Sequence, residues 1–103
     1  MCSNELLEYL RGGHIGRDRA VKSAVLEHDL HISANELRRQ VNRLRRKGVP
    51  IGSSKEGYFY AITAGEVYTT IRQLQEVAHG LDAAIAGLVS SLDHFEEEVK
   101  TPD

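Results

Sequence analysis

The sequence predicts a mainly α-helical protein with one small β-hairpin, closed by a long helix of heptad pattern. Three observations carry this. Apolar residues recur at helical spacing before residue 48 and again after residue 64. The segment between, residues 49–62, is short, bracketed by glycines and rich in Tyr and Phe, as a hairpin is. From Val67 onward the apolar positions alternate by four and three without a break, which is a heptad stripe.

Residues 4–11, NELLEYLR, place Leu6, Leu7 and Leu10 on one helical face, and Gly12-Gly13 is the expected stop. Two readings fit HIGRDRAV: a loop ending in a short strand at Ala20-Val21, or the start of a helix running to Leu30. Ser23 is an N-cap for a shorter helix, with Val25, Leu26 and Leu30 facing the core. A tight turn at His31-Ile32 follows. Ser33 and Glu36 then form a capping box, S-x-x-E, and a third helix runs to about Lys47, ended by Gly48. Next come a short extended piece VPI, a turn GSSKEG and a strand YFYAI. Thr63 and Glu66 form a second capping box, T-x-x-E, for a last helix from Ala64 to about Lys100.

The chain has 103 residues, 41% hydrophobic and 27% charged, which suits a globular protein rather than a disordered one. No apolar run is long enough for a spanning helix, so no membrane partner is expected. MCSNELLEYL lacks the basic start and apolar core of a secretion signal, and Cys2 is the lone cysteine. A cytoplasmic protein with an incidental thiol is the expectation. The formal net charge is −2, unevenly spread. Residues 1–62 hold eleven Lys/Arg and seven Asp/Glu, whereas residues 63–103 hold two and eight. Two jobs in two parts follow: a domain at 1–62, and at 63–103 an oligomerisation helix with an acidic tail.

The third helix concentrates the positive charge. ANELRRQVNRLRRKG holds six Arg/Lys and two Asn, with Glu36 its single acid. At about 100° per residue, Ala34, Leu37, Val41 and Leu44 share one side. The opposite face presents Asn35, Arg39, Asn42, Arg43 and Arg46. Arg38 and Arg45 flank one edge, Gln40 and Lys47 the other. An ordinary solvated face mixes signs to gain i,i+4 pairs. This one offers Arg, which reads guanine, and Asn, which reads adenine.

The order helix, helix, turn, helix, hairpin resembles the winged helix-turn-helix domains of bacterial and phage DNA-binding regulators. The resemblance rests on Leu26, Leu30, Ile32 and Ser33 before the third helix, and on Leu37, Val41 and Leu44 within it. NRLRRKGVPI…GYFYAI is similar to the recognition-helix-to-wing passage of small phage-encoded members and of the biotin-repressor type. His31 stands where that turn usually has glycine. The resemblance implies a winged helix-turn-helix domain in which the start of the recognition helix meets the bases. Base contact is then expected from Asn35, Arg38, Arg39 and Asn42. Phosphate contact is expected from Ser33, Arg43, Arg45, Arg46 and Lys47, and from the wing residues Ser53, Ser54 and Lys55. Glu56 beside them weakens the wing's attraction to phosphate.

No catalytic constellation stands out, and an enzyme is not expected. His28 and His31 have H-x-x-H spacing, but it crosses a helix end and no further ligand lies near in sequence, so neither metal nor cofactor is expected. GGHIG lacks the Lys-Ser/Thr of a phosphate loop. In the last helix, Ile71, Leu74, Leu81, Ile85, Leu88 and Leu92 are the expected oligomerisation residues. A helix of about 36 residues is ~54 Å long, longer than a domain of that size is wide, so it needs a partner. Val77, Ala84 and Val89 widen the stripe, so a homodimer is expected and a tetramer fits. The expected function is sequence-specific binding of double-stranded DNA in transcriptional regulation. Replication or packaging DNA binding in a phage uses the same parts. An adaptor that uses the scaffold for protein contacts is the competing reading.

Overall fold

The computed structural model describes residues 2–95, with side chains from Asn4 onward. The chain is mainly helical. Helices α1 (Cys2–Gly13), α2 (Ser23–Leu30) and α3 (Ala34–Arg46) precede strands β1 (Ile51–Ser54) and β2 (Gly57–Tyr60), and α4 (Ala64–Ser91) follows. Short 3₁₀ turns lie at Arg17–Arg19 and Leu92–Phe95. The expected helix end near Lys100, the stripe residue Val99 and the acidic run Glu96–Glu98 lie outside the described residues, as does the Cys2 thiol.

The core is built where the apolar spacing places it. Leu6 and Leu10 of α1, Leu26 of α2, and Leu37, Val41 and Leu44 of α3 are buried together with Val21 and Ile51. Phe59 is buried too, and its ring covers Gly52 so closely that a Cβ there would fall 2.4 Å from it. Val25 points outward, 44% exposed, against expectation. It precedes Leu26 by one residue, so a helix that buries Leu26 turns Val25 by about 100° toward solvent. α1 ends at Gly13, where the sequence places its stop. Gly12 and Gly13 form its last residues, and the His14 N–H still bonds the Leu10 carbonyl at 2.9 Å.

The ambiguous HIGRDRAV stretch is a loop with strand-like contacts, not the start of α2. Ile15 bridges Tyr60 in parallel and Val21 bridges Tyr58 in antiparallel sense, so the outer edge of β2 is covered. Ser23 is not the cap of α2. The helix begins at Ser23 itself, and Lys22, which carries no acceptor, holds the cap position without a side-chain bond.

Ser33 does cap α3, accepting the Glu36 N–H at 3.1 Å. Between α2 and α3, His31 takes the left-handed conformation at φ 57°, and its N–H bonds the His28 carbonyl. The hairpin turn is tighter than the expected GSSKEG. Gly52, Ser53 and Ser54 belong to β1, and only Lys55 and Glu56 remain between Ser54 and its partner Gly57. Gly57 is obligatory on two counts. Its φ is 127°, and a Cβ would meet the Val21 carbonyl oxygen at 2.0 Å.

Two compact units divide between Ile71 and Arg72. The first passes the sequence boundary at residue 62 because polar contacts tie the opening turns of α4 to it. The buried Thr70 hydroxyl accepts the Ser53 N–H at 3.1 Å. Glu66 accepts N–H bonds from Arg17 and Ile62 at 3.0 and 2.9 Å. The second unit is the rest of α4 with the turn at Leu92–Phe95. There the regular α-helix ends at Ser91, short of the sequence expectation. No helix among the described residues is long and apolar enough to cross a membrane.

Candidate nucleic-acid interface

One face of α3 is buried and the other is basic. Asn35, Arg38, Arg39, Asn42, Arg43, Arg46 and Lys47 are all exposed, and so is the capping Ser33. Arg39, Asn42, Arg43 and Arg46 line one shallow depression on that face. Their side chains are brought together by helical spacing alone, since positions three, four and seven apart share a face.

Short-range pairs order this surface. The Arg38 guanidinium donates to the Asn35 Oδ1 at 3.0 Å. Arg39 donates through Nε and Nη2 to one oxygen of Glu36, at 3.2 and 3.0 Å. The other Glu36 oxygen accepts from the Gln40 amide at 3.1 Å. These bonds, Gln40 first and Arg39 second, hold the Glu36 carboxyl below the usual range. Glu36 thus ties the Arg39 guanidinium back along the helix. It also forms only half of the expected capping box, since its carboxylate is engaged forward along the helix rather than backward.

Gln40 is not at the outer edge of the helix, as its polarity suggested. It is 1% exposed, at the margin of the apolar stripe one turn before Leu44. Its Oε1 is buried without a protein partner among the described residues. At about 100° per residue, position 40 lies some 40° outside the arc set by 37, 41 and 44, so spacing and polarity both put it at the edge, and only the folded chain shows the buried arc to be wider.

Arg45 also differs from its expected place among the phosphate-facing side chains. It is half-buried, and its Nε donates to the Ile51 carbonyl at 2.9 Å. One Nη reaches the Ser53 hydroxyl at 3.4 Å. Burial pulls the Arg45 pKa down, and the guanidinium remains charged. The physical reason is angular: Arg45 follows the buried Leu44 by one residue and lies at the hairpin side of the helix. Arg45 therefore ties α3 to β1.

The hairpin residues fall at a second place. Ser53, Ser54 and Lys55 line a hollow together with Glu56, Tyr58, Lys22 and Ser23. Lys22 and Ser23 escaped the sequence reading, because their position depends on the Val21–Tyr58 bridge, which joins residues 37 apart. Glu56 sits within this hollow and offsets part of its positive charge.

The oligomerisation candidates are apolar and open in the single chain. Ile71 is 40% exposed, Leu74 45%, Leu81 60%, Ile85 58%, Leu88 68% and Leu92 48%. His28 bonds Asp29, and Asp29 accepts the Tyr9 hydroxyl. Among the described residues, neither contact belongs to a group of three His, Cys, Asp or Glu placed to hold a metal ion. Comparison with family models, curated proteins and solved structures finds no match for this chain.

Proposed function

We propose that the chain is a winged helix-turn-helix protein that binds double-stranded DNA by sequence and acts in the cytoplasm as a transcriptional regulator. The observation that carries the reading is the outward face of α3. It is exposed, basic and amide-bearing along its length, with Glu36 as its single acid. The element order supports it: a helix, a strand-like crossing, two helices joined by a left-handed residue, then a hairpin whose open edge is covered. In this reading α3 enters the major groove. Asn35, Arg38, Arg39 and Asn42 meet base edges. Arg43, Arg46 and Lys47 meet phosphates, with Ser33 at the helix start. Ser53, Ser54 and Lys55 lie along the backbone as the wing. Arg45 holds that wing rather than touching phosphate itself. Self-association through α4 sets the spacing between recognition helices, so the site is a near-palindrome with half-sites about one helical turn apart or a multiple of it.

Selection of bound duplexes from a random pool tests the reading. A sequence preference is expected, relaxed by about 1–3 kcal/mol per lost base contact in Arg39→Ala and Asn42→Ala. Arg46→Ala should weaken binding to every sequence and flatten the salt slope by about one unit. If neither Arg39→Ala nor Arg46→Ala alters duplex binding, α3 is not the interface and a protein-binding adaptor becomes the better reading.

A further inference from the structure

A helix that pairs with one partner needs a single apolar seam, and its flanks carry charge. α4 departs from this pattern. Its seam runs through Leu74, Ala78, Leu81, Ile85, Leu88 and Leu92. On one flank, immediately before a seam residue, stand Val77, Ala84 and Ser91, with no charge among them. On the other stand Gln75, Asp82 and Val89, with one acid. Val77 and Val89 are 61% and 60% exposed, more open than Leu74 on the seam at 45%. The segment AAIAGLVSSL, residues 83–92, has no charged side chain on any face.

Eight large apolar side chains from Leu74 to Phe95 are each 45–68% exposed. That is on the order of 500 Å² of apolar surface per chain, using the area that corresponds to ~25 cal/mol per Å². Two chains that cover all eight bury about 1,000 Å² or more, the size of a stable interface. A two-stranded seam covers six and leaves Val77 and Val89 in water on both chains. It also has no flanking ion pairs to fix its register. A bundle of four covers the seam and both flanks, as core-facing helices with apolar flank positions do. A second copy is the partner that matches, because closed symmetry covers the same stripe on every chain at once.

We infer that the α4 stripe assembles four copies of this chain, and that the assembly joins two duplex segments. The bridging clause rests on the reading of α3 as the duplex-binding face; the assembly clause does not. Four copies carry four basic helix faces, and one near-palindromic site engages two.

Sedimentation equilibrium of the full chain tests the assembly. A mass near 46 kDa, four times 11.5 kDa, is expected. The double variant Val77→Gln/Val89→Gln, which keeps Leu81, Ile85 and Leu88, should fall to a dimer with unchanged helix content by circular dichroism. A wild-type dimer or monomer overturns the assembly, and so does a double variant that remains a tetramer. Bridging is read by capture of a labelled duplex on beads that already carry an unlabelled one. The wild type should retain the label, and the double variant should bind the bead-held duplex without retaining it. A tetramer that holds no duplex overturns the duplex reading and the bridging but not the assembly. A dimer that binds duplex overturns the assembly and the bridging but not the duplex reading.

Discussion

His31 is the single non-glycine residue with positive φ among the described residues, at φ 57°. The left-handed conformation costs an L-residue about 1–2 kcal/mol, and glycine avoids it at the expense of ~0.5–1 kcal/mol of added freedom when unfolded. His31→Gly should therefore stabilise the protein by about 0.5–1 kcal/mol, read as a raised urea midpoint with an unchanged slope. A lower midpoint would mean that the His31 side chain contributes more than its backbone costs. The turn itself was legible, because a cap at Ser33 requires α2 to end just before it. The left-handed state at a histidine was not, since residue type argued for glycine there. Gln40 shows the same limit: its angle and its polarity both put it at the edge of the stripe, and the folded chain buries it. Spacing puts Arg39 among the expected base contacts, and its tether to Glu36 depends on rotamers that spacing leaves open.

The elements themselves were legible where a single signal dominates. Ser33 and Thr63 mark two helix starts, and their hydroxyls accept the expected N–H bonds at 3.1 Å each. The hairpin was found but misregistered by several residues, because Pro50 drew the first strand too early and Gly52 looked like a turn residue rather than a seat for Phe59. Its attachment was invisible, since Arg45 reads as one more surface cation. Arg45→Met keeps the stem and removes the bonds to Ile51 and Ser53, so stability should drop by about 1 kcal/mol. Duplex binding should weaken while the salt slope stays the same. A slope flatter by about one unit would instead make Arg45 a phosphate contact. At the start of α4, N–H bonds from Arg17 and then Ile62 hold the Glu66 carboxyl below its usual range. A lowered carboxyl contributes stability above its unfolded value of about 4.5, lost as pH falls through the folded value. Asp29, lowered by the Tyr9 hydroxyl and then by His28, adds to the same trend. Urea midpoints should fall between pH 5 and pH 3, and Glu66→Gln should flatten that fall. An unchanged pH dependence in Glu66→Gln would show that its bonds contribute nothing to folding.

Across the whole molecule, the sequence separated a basic part from an acidic one and placed the border at the hairpin's end. The border in structure lies after Ile71, and the difference is physical. Charge changes sign where α4 begins, but packing continues for two further turns. Val67 is half-buried and Thr70 is 5% exposed, its hydroxyl accepting the Ser53 N–H of β1. Composition cannot report a threonine buried by a strand seventeen residues away. The difference bears on what folds alone. A domain of about 60 residues buries only ~60% of its unfolded surface and is marginal. Ending the chain at residue 62 also removes Glu66 from the Arg17 and Ile62 N–H groups, and leaves the Ser53 N–H without its acceptor. Each hydrogen bond lost this way costs about 0.5–1.5 kcal/mol, a large share of the stability of so small a domain. A fragment of residues 1–62 should therefore be largely unfolded at 25 °C. A fragment of residues 1–75 should unfold cooperatively and sediment as a monomer, since most of the α4 stripe is gone. Thr70→Val in the longer fragment, which keeps the shape but removes the acceptor, should fall between the two in urea midpoint. Cooperative unfolding of the 1–62 fragment with the same midpoint as the 1–75 fragment would refute this, and would return the border to the place where the charge reverses.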